Sequence, residues 1–155
     1  MELCHFMRFK EIGGPYTTWA AQNFFVGQPK TYAGLSYQFI PIAVSSNAAV
    51  KGGDRAEAAI SGPADDITLN VFNEAYAKDW LLEIKTVKLN RSDFSIDALL
   101  MTEIWAPSQV QYDSAQEGVV LQLSSPLDAV SRAGGRVLSQ FLVGALPTSG
   151  TLVLQ

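Results

Sequence analysis

Cysteine occurs once in the 155 residues, at Cys4, and histidine once, at His5. A single thiol rules out an internal disulfide and any zinc or iron–sulfur site built on several thiolates. Because Cys4 and His5 are adjacent, a strand points them to opposite faces and they do not chelate one ion together. A nucleophilic pair would have to draw on His5, and there is no Gly-x-Ser-x-Gly elbow to present a serine to it. Charge is also scarce: 17% of the residues are Asp, Glu, Lys or Arg, against about 25% in an ordinary soluble domain. Charged side chains usually cover a monomer's outside, so the deficit points to surface hidden against other protein, and an oligomer is expected.

Long apolar runs are missing too. No stretch approaches the ~20 residues that span a bilayer, although the apolar fraction is 48% and the mean hydropathy +0.12. No membrane partner is expected. The basic residues of Met1–Lys10 follow the apolar ones, the wrong order for a signal peptide. Net charge is −4 and the pI 4.9, with Lys and Arg scattered, so no face is built to grip phosphates and sequence-specific nucleic-acid binding is not expected. The glycine pairs Gly13-Gly14, Gly52-Gly53 and Gly134-Gly135 lack both the Gly-x-Gly-x-x-Gly spacing and a Gly-Lys-Ser/Thr ending, and read as turns.

What is present is a succession of short apolar or alternating runs between turn residues. The chain is the size of one domain, able to bury roughly two-thirds of its extended surface without staples, and a single domain over 1–155 is expected. Strands are predicted in residues 1–12, in Tyr16–Trp19 and Asn23–Val26, and through Lys30–Val44, which Pro41 breaks or places at an edge. Residues 45–65 read as a projecting loop or hairpin with a weak strand or helical turn at Arg55–Ile60, a place for contact with a neighbour. Ile67–Phe72 alternates and reads as a strand. Asn73 then caps a short helix near residues 73–80, with Tyr76 and Trp80 on one face. Leu82–Leu89, Phe94–Ile96 with Ala98–Trp105, Gln109–Tyr112, Gly118–Ser124, Arg136–Val143 and Thr151–Leu154 complete the strands, with a stop at Ala106-Pro107-Ser108. The fold class is mainly β: a small barrel or sandwich of about eight to ten short strands and one short helix.

No catalytic, cofactor-binding or metal-ligating residue is assigned. Asp65-Asp66 lacks the further oxygen ligands of a calcium site and reads as a turn with two solvated acids. Glu74, Asp79 and Glu83 interleave with Lys78 and Lys85, the pattern of a wet face. Glu103 reads equally as a buried carboxylate or as a residue on the wet side of a strand. Trp19, Trp80 and Trp105 form either a carbohydrate platform or, as is commoner for tryptophans spread through strands, core and interface.

The run Val119-Val120-Leu121-Gln122-Leu123-Ser124-Ser125-Pro126-Leu127-Asp128, arriving after a strand, helix, strand unit, resembles the tail-tip and baseplate-hub proteins of tailed bacteriophages, specifically the minor tail protein L family and its hub relatives. Tyr32–Ile42 is similar to that family's early aromatic, glycine, tyrosine, proline strand, and Ile67-Thr68-Leu69-Asn70-Val71 to its threonine-leucine-x-valine strand. The resemblance covers about Tyr32 to Leu127. It implies a structural, non-enzymatic virion protein of the phage tail, made in the host cytoplasm. Copies would form a ring, a trimer rather than a hexamer, between the tail tube and the distal spike or fibre, against neighbouring tube and distal-tail proteins. The cysteine-bearing iron–sulfur region of many relatives is not expected, since Cys4 stands alone, and no cofactor is implied. The alternative is a carbohydrate- or receptor-binding β module of a tail fibre.

Overall fold

In a computed structural model, which describes residues 2–11, 17–47, 57–114 and 117–126, the architecture is mainly β with one helix. The strands are β1 (Glu2–Lys10), β2 (Thr17–Gln22), β3 (Lys30–Tyr32), β4 (Leu35–Phe39), β5 (Ala43–Asn47), β6 (Glu57–Pro63), β7 (Leu81–Leu89), β8 (Ile96–Asp113) and β9 (Gly118–Ser124), and α1 spans Asp66–Ala77. They hydrogen-bond in the order β3-β4-β2-β1-β7-β8-β9-β6-β5. Most neighbours are antiparallel, and the β2–β4 contact is parallel. Among the described residues the sheet does not close into a barrel: β3 and β5 are its free ends, and the arrangement is sandwich-like. The predicted strands Arg136–Val143 and Thr151–Leu154, and the three glycine pairs, lie outside the described residues.

β8 joins the two halves. Its first part, Ile96–Trp105, pairs with β7, and its second part, Ala106–Asp113, pairs with β9. The predicted stop at Ala106-Pro107-Ser108 is therefore a corner within one 18-residue strand. Proline donates nothing to a ladder, yet here it sits beside a register shift between Pro107 and Gln109, where a bulge accommodates it and a strand can pass from one half to the other.

The helix is longer and earlier than its caps suggested. Ile67–Phe72 is its first half, not a strand, and Asn73 is an exposed mid-helix residue, not its cap. Asp65 is the N-cap: its carboxylate accepts a 2.7 Å hydrogen bond from the Thr68 amide, and Asp66 follows in the first turn, where the helix dipole favours an acid. Thr68, Phe72 and Ala75 lie one helical turn apart and are buried, while Ile67 is 62% exposed. The helix ends at Lys78. Asp79 takes φ +52°, and the Trp80 amide reaches back to Ala75 O at 2.9 Å, which swings the indole into the core.

The central strands bury both faces. On β1, Met7 and Phe9 face the helix, in a core shared with Phe72, Leu82, Ile84, Trp80, Trp105, Ile60 and the β9 residues Val119, Leu121 and Leu123. Cys4 and Phe6 face the other way, against Tyr37, Val87 and Leu89. Ala58 and Ile60 are buried in β6, so the weak segment in the predicted 45–65 loop is a core strand; residues 48–56 lie outside the described residues. Asn23–Val26, predicted as a strand, is a turn folded around the amide of buried Gln22. The β3–β4 hairpin turns through Ala33 (φ +50°) and Gly34 (φ +80°), positive angles that suit a two-residue turn.

Candidate interaction surface

The pairing registers place the exposed part of β8. Antiparallel partners share a face, so the helix side of the first half carries rows Phe9–Leu82–Trp105, Met7–Ile84–Glu103, His5–Thr86–Met101 and Leu3–Lys88–Ala98. The first row is fully covered, and cover thins along the strands until Leu3 (38% exposed) and Met101 (43%) stand in solvent. Leu99 and Ile104 pair with Val87 and Glu83 and lie on the opposite face; they are about half exposed, as is Leu100. Register shifts skip Asp97 and Leu100. These are bulges, which kink the strand and re-aim side chains, and here they make Ala98–Met101 an apolar knuckle.

The same stretch has a free backbone edge. β7 covers one side of Ile96–Trp105, while β9 pairs only from Ala106 onward, so among the described residues no strand lies across from Asp97–Glu103 on the other side. An unpaired edge with aliphatic side chains is the arrangement that natural sheets use for docking or else protect. Charge flanks it at both ends: Lys88 pairs with Asp97 at one end, and at the other Glu103 has no ion pair among the described residues. Partial burial raises the Glu103 carboxyl above its ordinary range.

Four other titratable groups have defined surroundings. Burial pushes the Cys4 thiol up to about 11, so it is no nucleophile at neutral pH. His5 lies on the opposite face from Cys4, its Nδ1 3.1 Å from Thr86 Oγ1, and burial lowers its pKa. Burial alone would raise Glu83, but Arg8, donating at 2.9 Å, and Lys85, with Nζ 3.1 Å away, outweigh it and hold the carboxyl below the usual range. Glu74 pairs with Lys78 along the helix at 3.1 Å. Among the described residues no three His, Cys, Asp or Glu side chains gather to hold a metal, and no helix is long and apolar enough to cross a membrane.

Trp80 and Trp105 are buried, and Trp19 packs against the core with its ring 5.6 Å from Phe9. Trp80 and Trp105 offer no open ring face for a sugar, and Trp19 is partly covered. A polar groove of about 370 Å³ on the outer side of the second half, lined by Glu57, Gln109, Gln111 and Gln122, has no aromatic wall. The β8 knuckle was readable only as a strand in the sequence. The signal was there in Ala98-Leu99-Leu100-Met101, four apolar residues where alternation fails, but a fully buried strand leaves the same mark. No family model matches this chain, and no curated protein matches it.

Proposed function

We propose that this chain is a structural subunit of a bacteriophage tail tip or baseplate hub, with no catalytic role, resident in the virion and made in the host cytoplasm. Copies of it close a ring, three rather than six, between the tail tube and the distal spike or fibre. The observation that carries the reading is a chain poor in charge that leaves large apolar side chains in solvent on several elements, Val26, Ile67 and Tyr112 as well as Leu99–Met101 and Ile104, since exposed apolar surface of this kind marks sites that another protein covers. Supporting it is the order of elements behind the resemblance. A strand, helix, strand unit precedes β9, although its first strand is β6 and not Ile67–Phe72, and β9 ends at Ser124 before Ser125-Pro126. The Thr68–Val71 motif lies in α1 and lends no support as a strand. Ring closure uses heterologous contacts, and a net acidic subunit suits a channel through which DNA slides without sticking.

The test is light scattering with negative-stain imaging, first on the purified chain and then on the chain co-expressed with the tail-tube and distal-tail proteins of the same virus. Threefold rings, free or seated on those partners, are expected. A chain that forms no ring under either condition and binds none of those proteins overturns the reading.

A further inference from the structure

The β8 edge that no described strand covers is self-complementary, and this selects its occupant. A twofold contact brings one patch against the same patch of a second copy. Two β8 edges laid antiparallel about an axis between Leu100 and Met101 set Leu100 beside the neighbour's Met101, Leu99 beside Thr102 and Ala98 beside Glu103. The bulge at Leu100 keeps the faces in step: Ala98 and Glu103 both belong to the helix side, and Leu99 and Thr102 both to the other. No acid then faces an acid across the contact.

Charge fits the same register. Lys88 stands next to Ala98 on the helix side, one strand in from the edge. Adjacent strands are about 4.8 Å apart, so two strand spacings separate Lys88 from the neighbour's Glu103. A lysine and a glutamate side chain together span that distance across the small Ala98. Asp97 takes one of the ammonium's three donors. Among the described residues neither a second Lys88 donor nor the half-buried Glu103 carboxylate has another ion-pair partner, so the two are available to each other.

We propose that a second copy of this chain covers the β8 edge through an antiparallel twofold contact, with Leu99, Leu100 and Met101 at its centre and a Lys88–Glu103 ion pair at each end. The contact goes beyond the ring reading: being isologous, it joins chains in pairs, and beside a threefold ring it would join two rings face to face.

The experiment is sedimentation equilibrium on the full chain and on Lys88→Glu, Glu103→Lys, the double exchange Lys88→Glu/Glu103→Lys, and Leu100→Lys, with circular dichroism to confirm that each is folded. Wild type is expected to include dimers, each single charge reversal to weaken dimerisation about tenfold or more, the double exchange to recover most of that loss, and Leu100→Lys to abolish pairing. A wild-type chain monomeric at 100 μM, on the order of the weakest useful affinity, overturns the proposal. So does a dimer whose strength Glu103→Lys leaves unchanged, or one that the double exchange weakens as much as the two single changes together. A threefold ring that survives Leu100→Lys with no pairing of rings in the wild type defeats this contact and leaves the ring reading standing.

Discussion

Gln22 is the most demanding polar residue in the fold. Its side chain is fully buried and all four of its amide's strong interactions go to one turn. Oε1 accepts from the amides of Phe24 (2.8 Å) and Phe25 (2.7 Å), and Nε2 donates to Phe25 O (2.8 Å) and Gln28 O (3.2 Å). That turn presents Phe24 and Phe25 to the second core cluster, and its Asn23 ties β1 to the strand exit at Ile42 through His5 N and Ile42 O. Gln22→Leu keeps the approximate volume and removes all four bonds. At about 1 kcal/mol net for each bond, the loss is about 4 kcal/mol. Part of it returns because Phe24 and Phe25 are only half-buried and their freed backbone groups can find water. The expected cost is about 3 kcal/mol, which in a domain of this size lowers Tm by roughly 6–12 °C. Urea denaturation should shift its midpoint with an unchanged slope, and hydrogen exchange should show the Phe24 and Phe25 amides deprotected beyond the global loss. A cost under about 1 kcal/mol, with those two amides still protected, would refute the account of Gln22 as the turn's scaffold.

Phe72→Ala should cost about 3–5 kcal/mol in the same assay, because the ring is fully buried between the helix and Phe9, 6.3 Å centroid to centroid; a cost near that of an exposed change would mean the helix is not anchored there. Asp65→Ala removes the cap on the Thr68 amide and should cost about 1 kcal/mol, while Asp65→Asn, which keeps an acceptor, should recover most of it. Two carboxyls pull stability in opposite directions with pH. Glu83, held low by its basic neighbours, contributes stability above its unfolded value near 4.5 that is lost as pH falls through its folded pKa. Glu103, raised by burial, is neutral at low pH and costs stability as pH climbs from about that same value through its folded pKa. In dilute, unpaired protein Glu103→Gln should therefore be the more stable form at pH 7 and lose the advantage at pH 4, and an equal Tm difference at both would show that burial does not govern that carboxyl.

Much of the fold could be read in advance where one physical signal stood alone. β1, β7 and β9 alternate, or run apolar between turn residues, and each is a strand whose inward residues are buried. The reading failed where two signals coincide. Ile67-Thr68-Leu69-Asn70-Val71-Phe72 has period-2 character, yet its Thr68, Phe72 and Ala75 also satisfy the helical period, and the cap chemistry of Asp65 decides between them. Asn23–Val26 has strand composition but meets a buried amide that supplies the hydrogen bonds a neighbouring strand would otherwise give. Pro107 reads as a stop because proline cannot donate, and only the opposing register reveals the bulge that tolerates it. Asp65 and Gln22 act on amides two or three residues away, and only at Pro107 is the deciding partner distant in sequence.

The exposed apolar edge of β8 was hidden for a further reason, which lies in what β8 does. Trp105, Ala106 and Pro107 are buried at the corner and hold the two halves together, while Ala98–Met101, a few residues earlier on the same strand, are exposed. Both segments consist of apolar residues, so apolar character alone does not say which is covered. The difference comes from cover: helix and β9 close over the corner, whereas β9 pairs no further toward the strand's start than Ala106, and among the described residues no other strand covers the earlier edge. A strand buried at one end and, among the described residues, paired on a single side at the other lets the exposed segment vary without dismantling the core. The side chains that weld the fold and those proposed to meet a neighbour are therefore separable by substitution, although they share one strand.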